Sequence, residues 1–370
     1  MKVTIERSAF LKALNHVQSV VERRNTIPIL SNVLVNAGTD SVKLTATDLD
    51  IEIVESVAAE TQRPGAVTVP AHMLYDIVRK LPDGAQLELE LGKDTGRVSV
   101  NAGRSRFSLA ALPPEDFPDL SSGEFGNRFT LPASALRSLI EKTRFAISTE
   151  ETRYYLNGIY LHQAREKKSL RAVATDGHRL AQAEVALPEG AEGMPGVIVP
   201  RKTVLEVLKL IEGGDTEVEV ALSSSKVRFS MGHLVLTSKL IDGTFPDYER
   251  VIPKSHNRIL TADSKSFASA VDRVSTISLE KSRAVKMSLA EGRLTLAVNN
   301  PDAGSAEEEL AVGYDNEPLD IGFNSRYLLD VASQITAEEM RFELQDSGSP
   351  TVVRDPKDEH VLYVLMPMRV

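Results

Sequence analysis

In the stretch Thr175-Asp176-Gly177-His178-Arg179, an acid and a base stand two residues apart beside a fixed cation. That set could supply general acid and base for hydrolysis, or two ligands for a metal. The same residues also make a turn, with Asp176 accepting from local backbone N–H groups and Gly177 supplying a positive φ. Thr47-Asp48 occupies the matching place earlier in the chain, followed there by Leu49 and Asp50, so the aspartate recurs where no histidine does. This recurrence favours the turn over a hydrolase built on Asp176 and His178. The other histidines, at 16, 72, 162, 233, 256 and 360, show no ligand spacing. Phosphate-binding loops, dinucleotide fingerprints, zinc-protease, nucleophile-elbow and calcium-loop patterns do not occur in the sequence. With no cysteine in the chain, thiol catalysis, disulfides and Cys-held metals are excluded. The expectation is a protein without cofactor or metal, and not an enzyme.

The elements that would position these residues are written in the chain as a long repeat. VTVPAHMLYDIVRKLPDGAQLELEL starts at Val67, VIVPRKTVLEVLKLIEGGDTEVEVAL at Val197 and IGFNSRYLLDVASQITAEEMRFEL at Ile321. Each predicts strand, helix, turn, strand. The helical part keeps one apolar stripe: Leu74, Ile77, Val78, Leu81; then Val204, Val207, Leu208, Ile211; then Leu328, Val331, Ala332, Ile335. Spacing of i, i+3, i+4, i+7 gives a helix with one buried face. An earlier helix repeats likewise, with Phe10, Ala13, Leu14, Val17 matching Leu136, Leu139, Ile140, Thr143 and Phe267, Ala270, Val271, Val274. Between the helices, alternating segments such as SVKLTATDLDIEIVESV predict strands. The third copy has Asn299 where the others have Asp48 and Asp176. The spacing is too long for a solenoid repeat, so each copy is a domain with its own core. FPD at 117–119 and 245–247 marks linkers, which places the domains at 1–125, 126–254 and 255–370. The predicted fold class is α+β: three tandem similar domains, each with two helices packed on antiparallel sheets. Asn157-Gly158 predicts a tight hairpin turn. The apolar tail Met366 to Val370, ending a strand, is unlike a solvated terminus, and flexible Met side chains suit a surface that accepts varied partners.

The chain of 370 residues is 42% hydrophobic and carries a net charge of −9. A negative total argues against nucleic acid as a partner, but the total hides a segregation. Helix windows 7–24, 70–80, 132–144, 200–212, 263–278 and 324–336 together carry +7, which leaves −16 on the remainder. If the helices of all domains face one surface, that surface is basic and the sheets are acidic; the plainer alternative is ordinary solvated Lys and Arg. With no tryptophan and 5% aromatics, single-strand binding by stacked rings is disfavoured. The N-terminus has no signal-peptide core and no later stretch is apolar enough to span a bilayer, so a cytoplasmic location is expected.

A set of strings in fixed order, NTIPIL at 25–30, TATDLDIE at 45–52, GRSRFSL at 103–109, RYYLNG at 153–158, VATDGHRL at 173–180, FPDY at 245–248 and LMPMR at 365–369, resembles the bacterial DNA polymerase III beta subunit family, the replicative sliding clamps. The resemblance spans the whole chain. It implies the DNA clamp fold and a head-to-tail homodimer, a ring of six domains with helices inside, sheets outside and duplex DNA threading the hole. A basic inner wall would meet phosphates through sequence-independent contacts. The implied partners are DNA, a second copy, the replicative polymerase, the clamp loader and other proteins carrying short clamp-binding peptides. The resemblance places DNA contacts at Arg24, Arg201, Lys202 and Tyr154. FAISTEET departs from the family by putting Glu150 and Glu151 where it is often less acidic, which weakens the case for a DNA contact there. It places a peptide cleft at Leu156, Thr175, Gly177, His178, Arg179, Leu180, Pro246, Val251, Val364 and Met366, extended by Asn324, Tyr327, Pro367, Met368 and Arg369. The dimer contact would join Phe107 and Leu109 of one protomer to the region of Ile277 in the other.

Overall fold

The helices form where the apolar stripes are. In the computed structural model, which describes residues 1–92, 96–164, 166, 168–211, 216–254, 256–278 and 283–370, they are α1 (Arg7–Val17), α2 (Ala71–Lys80), α3 (Ala133–Thr143), α4 (Arg201–Leu210), α5 (Ser264–Ser275) and α6 (Ser325–Ala332). Caps fix several starts. The Glu6 carboxylate accepts from the Ser8 hydroxyl and from the N–H groups of Ser8 and Ala9 at the head of α1, which holds its pKa down at about 2. Asp263 and Asn324 cap α5 and α6. Phe10, Ala13, Leu14 and Val17 of α1 and Phe267, Ala270 and Val271 of α5 are sealed from solvent as the stripes predict, whereas Ile77 and Leu208 are only half-buried and Leu81, Ile211 and Ile335 lie just past the ends of their helices. Each large side chain so sealed contributes about 1.5–3 kcal/mol.

The window at 7–24 is too long for one helix. α1 stops at Val17, a short 3-10 turn follows at Gln18–Val20, and Glu22, Arg23 and Arg24 lie beyond it on exposed chain. The six helices as folded still carry +7. Glu212, counted in the fourth window, lies outside the described residues.

The chain divides into two compact units. One comprises Met1–Leu136, Pro188–Met194 and Lys202–Leu240, the other Arg137–Leu187, Pro195–Arg201 and Ile241–Val370. Every pairing in the sheets is antiparallel among the described residues. In the first unit, a sheet of eight strands runs in the order Asn127–Pro132, Glu217–Leu222, Lys226–Met231, Leu234–Lys239, Ile51–Ala58, Ser41–Thr47, Asn32–Ala37, Gly65–Pro70. Its middle is a seam between consecutive repeats, with Leu234 opposite Glu55 and Ser238 opposite Ile51. The second unit repeats the arrangement: Val197–Pro200, Gly158–Gln163, Ser169–Thr175 and Arg179–Ala186 continue into Asp358–Leu365, Thr351–Asp355, Glu339–Leu344 and Arg258–Asp263. There the seam sets Arg179 opposite Leu365 and Ala183 opposite Val361.

Each unit also holds a smaller sheet. One ends on the edge strand Ser105–Ala110, the other on the edge strand Gly304–Ala311. The strand Ile51–Ala58 of the first repeat corresponds to Arg179–Ala186 of the second and Gly304–Ala311 of the third. The pattern of one such strand pairing with the last strand of the following repeat is thus used twice, and leaves one edge of each kind open.

Asn157-Gly158 does not make the expected hairpin turn. A 3-10 segment, Glu151–Leu156, precedes it and a strand starts at Gly158. A Cβ on Gly158 would lie 2.3 Å from the Val199 carbonyl oxygen, so the glycine is there for the close approach of two strands.

Candidate functional site

A cavity of about 320 Å³ opens in the second unit, lined by Arg153, Tyr155, Leu156, Thr175, Gly177, Arg179, Leu180, Pro246, Asp247, Tyr248, Val251, Val364 and Met366. Its floor is a cluster of core side chains, Leu156, Val173, Leu180, Ile198, Phe245, Tyr248, Val352, Leu362 and Val364. Its rim is apolar and wet: Val251 is 50% exposed and Met366 39%. The floor is rigid because strands supply it, with Leu180 and Val364 facing each other across the seam. Tyr248 is held from behind, its hydroxyl bonded to Arg171 Nη1 at 2.8 Å and to His162 Nε2 at 3.0 Å. Burial pushes the Tyr248 phenol up to about 12. Arg171 in turn donates to Glu184 at 3.2 Å and Glu249 at 2.9 Å, which ties the linker segment to the sheet.

Thr175 to Arg179 forms the turn. Asp176 Oδ1 accepts from His178 N at 2.9 Å and Arg179 N at 3.0 Å, and Oδ2 accepts from Arg179 Nε at 3.1 Å. Gly177 sits at φ +87°, and a Cβ there would be 2.5 Å from Arg153 Nη1. The carboxylate is therefore engaged by backbone and guanidinium, and the His178 ring stacks against Tyr327 with centroids 6.5 Å apart. Arg179 fans out over the ring of Tyr327 at 4.3 Å and donates to Asp330 and to the Phe145 carbonyl. The C-terminal residues are pinned: Met366 N–H donates to His178 O at 2.9 Å and Met368 N–H to Gly322 O at 2.8 Å.

The residues expected at DNA are exposed. Arg24 follows α1, Arg201 and Lys202 open α4, and Tyr154 is 53% exposed with its ring edge-on to Tyr155. Lys202 reaches Asp48 and, at 3.5 Å, Glu22. Glu150 is taken up by Arg153 in a two-point pair at 2.7 and 2.8 Å, and that bond holds its carboxyl below the ordinary range. Among the described residues, no three His, Asp or Glu side chains are grouped to hold a metal, and no helix is long and apolar enough to cross a membrane.

Comparison with known proteins settles the family. The N-terminal, central and C-terminal domains of the DNA polymerase III beta subunit match residues 1–121, 130–247 and 249–369. The chain belongs to the DNA polymerase III beta subunit family. It is 58% identical to the beta sliding clamp of Caulobacter vibrioides over 372 residues and 42% identical to that of Escherichia coli over 373, all of each chain being covered. Among solved structures, it resembles a sliding clamp from Bartonella birtlesii bound to griselimycin, with TM-score 0.97 and 56% identity, and the DNA polymerase sliding clamp of Caulobacter crescentus, with TM-score 0.96 and 57% identity; each match covers both chains fully. The fold is accordingly that of three tandem clamp domains of α+β type.

Of the residues the resemblance to the family placed in a peptide cleft, Leu156, Thr175, Gly177, Arg179, Leu180, Pro246, Val251, Val364 and Met366 line this cavity. His178 is exposed beside it through the turn, and Tyr327 meets His178 and Arg179. Asn324 caps α6, Met368 is tied to Gly322, and Pro367 and Arg369 flank Met368. Sequence reasoning left out Arg153, Tyr155, Asp247 and Tyr248. All four lie inside RYYLNG and FPDY, so the strings that marked the family contained them.

Proposed function

We propose that this chain is a DNA sliding clamp, a ring-shaped homodimer that encircles duplex DNA and tethers the replicative polymerase and other DNA-processing proteins without any chemistry of its own. The domains are taken as 1–125, 126–254 and 255–370, and the place of work as the cytoplasm. Arg24, Arg201, Lys202 and Tyr154 would face the duplex, and the cavity around Leu156, Leu180, Val364 and Met366 would take the apolar anchors of short partner peptides.

The observation that carries the reading is the rule of strand pairing. Two seams follow it within the chain, and a third would follow it between copies, Gly304–Ala311 of one against Ser105–Ala110 of the next. The first open edge carries Glu307, Glu308 and Glu309, the second Arg104 and Arg106, so the two are complementary in charge. Carrying over the register of the first seam puts Arg106 opposite Glu308 and Leu109 opposite Ser305. Phe107 then lies on the joining strand, and Ile277, half-buried after α5, lies in the repeat that supplies the other edge. Contacts of this head-to-tail kind close on themselves or run on; closure is what a topological tether needs.

Retention by topology gives the test. Loaded onto a nicked circle by its ATP-driven loader, the protein should stay bound through moderate salt and leave once the circle is cut. Persistence on linear DNA with free ends would mean that direct contacts hold it, and would sink the reading.

A further inference from the structure

Asp48 is the recurrent turn aspartate, yet nothing in the tethering function uses it. Its Oδ1 accepts from the N–H groups of Asp50 at 2.9 Å and Ile51 at 2.7 Å, the same bonds that Asp176 makes in the second repeat. What differs is the cation on Oδ2. Asp176 holds Arg179, three residues on in its own turn, whereas Asp48 reaches across to Lys202 at the head of α4. The Asp48 side chain is only 9% exposed, and Glu22 approaches the same ammonium at 3.5 Å. One residue along, Asp50 holds Lys239 at 3.1 Å. Between the two carboxylates sits Leu49 at φ +78°, a left-handed conformation that a branched side chain rarely adopts and that Gly177 supplies in the second repeat. The turn is thus kept in its strained form, with both acids aimed at lysines.

We propose that Asp48, assisted by Glu22, is an internal stand-in for a DNA phosphate that keeps Lys202 from gripping the duplex. This rests on the placement of Lys202 at DNA in the reading above. When Lys202 turns to a phosphate it must leave a preorganised carboxylate fixed by two backbone amides, so the exchange replaces one anionic partner by another. Burial alone would lower the Lys202 ammonium, but the bonds and charges of Asp48 and Glu22 together outweigh it and hold the group above its ordinary value. The counterion balance changes too. A phosphate contact releases a cation from DNA, while salt eases the breaking of the Lys202–Asp48 pair that must precede it, so Lys202 adds little to the salt dependence of binding. A weak, easily exchanged contact leaves the ring free to slide.

The test is the slope of log affinity against log salt for the intact dimer on a short linear duplex, read by fluorescence anisotropy. Asp48→Asn keeps an oxygen for the turn amides but removes the charge; it should steepen the slope by about 0.9, the value of one unopposed phosphate contact. Glu22→Gln, which has no part in the turn, should steepen it by less, and single-molecule tracking should show slower diffusion of loaded Asp48→Asn rings. Adding Lys202→Gln to Asp48→Asn should return the slope to the wild-type value. An unchanged slope in Asp48→Asn, with Arg24→Gln still flattening it, would overturn the role of Asp48 and leave the DNA-facing reading intact. If Arg24→Gln also changes nothing, both fall. Should Asp48→Asn fail to melt cooperatively, Glu22→Gln decides: a steeper slope supports the inference and an unchanged one refutes it.

Discussion

Met366→Lys tests the peptide pocket most directly. The Met366 side chain forms part of the rim, 39% exposed, above Leu156, Leu180 and Val364, each 3% exposed or less. A Leu-sized anchor entering the cavity would lose all of its apolar surface to these walls, a gain of about 1.5–3 kcal/mol. Lysine keeps the stem of the methionine but must hold its ammonium in water, so it would swing outward and take one wall with it. The expected loss is about 2 kcal/mol, roughly 30-fold in Kd. The fold should not notice, because what Met366 gives the structure is a backbone bond from its N–H to His178 O, which any side chain leaves in place. Anisotropy of a labelled peptide with two large apolar residues measures the first effect, and sedimentation velocity confirms that the variant still dimerises. Unchanged peptide affinity in Met366→Lys would refute the assignment of the cavity, as would loss of binding only together with loss of the dimer.

Three further outcomes follow from geometry. Arg106→Glu should shift the dimer toward monomer in sedimentation velocity, and Glu308→Arg on the same chain should restore it once Arg273, which bonds Glu308 at 2.9 Å, is replaced by Gln in both variants; failure of the rescue would show that the transferred register is wrong. Glu52 is buried, and burial raises its carboxyl above the usual 4.5 although its Oε2 accepts from Leu120 N. The folded protein therefore holds a proton that the unfolded chain has released, so stability falls as pH rises from 4.5 through the folded value. Glu52→Gln should melt above wild type at neutral pH, with the gap closing on acidification; a gap independent of pH would contradict it. Tyr248→Phe deletes the hydroxyl that Arg171 and His162 share, and should cost about 1.5 kcal/mol in chemical denaturation. A cost near zero would mean that Glu184 and Glu249 satisfy Arg171 unaided.

Local pattern revealed some of this and not the rest. The helices were legible because one face of each is apolar at fixed spacing, and the repeat was legible because three segments carry the same stripe. The ends were not: α1 stops at Val17, where the apolar spacing gives no sign, and Arg24 is left on exposed chain. Asn157-Gly158 misled because the pair fits a turn, whereas Gly158 is required by a strand from forty residues away. The Asp176 turn could be read locally, since its bonds span two and three residues. Its partner in the first repeat could not, because Lys202 lies 154 residues beyond Asp48. The Arg171 network behind the pocket spans 13 to 78 residues and left no trace in spacing.

The open strands at Ser105–Ala110 and Gly304–Ala311 carry a liability as well as an opportunity. Each presents a row of backbone donors and acceptors with no mate among the described residues, and the proposed pairing sets the two rows together. A population of separated protomers therefore has two outlets, a closed pair or a growing thread, and which one wins depends on how concentrated the chain is and how long its ends stay apart. Any machinery that parts this seam to admit DNA has reason to keep hold of both ends while it does so.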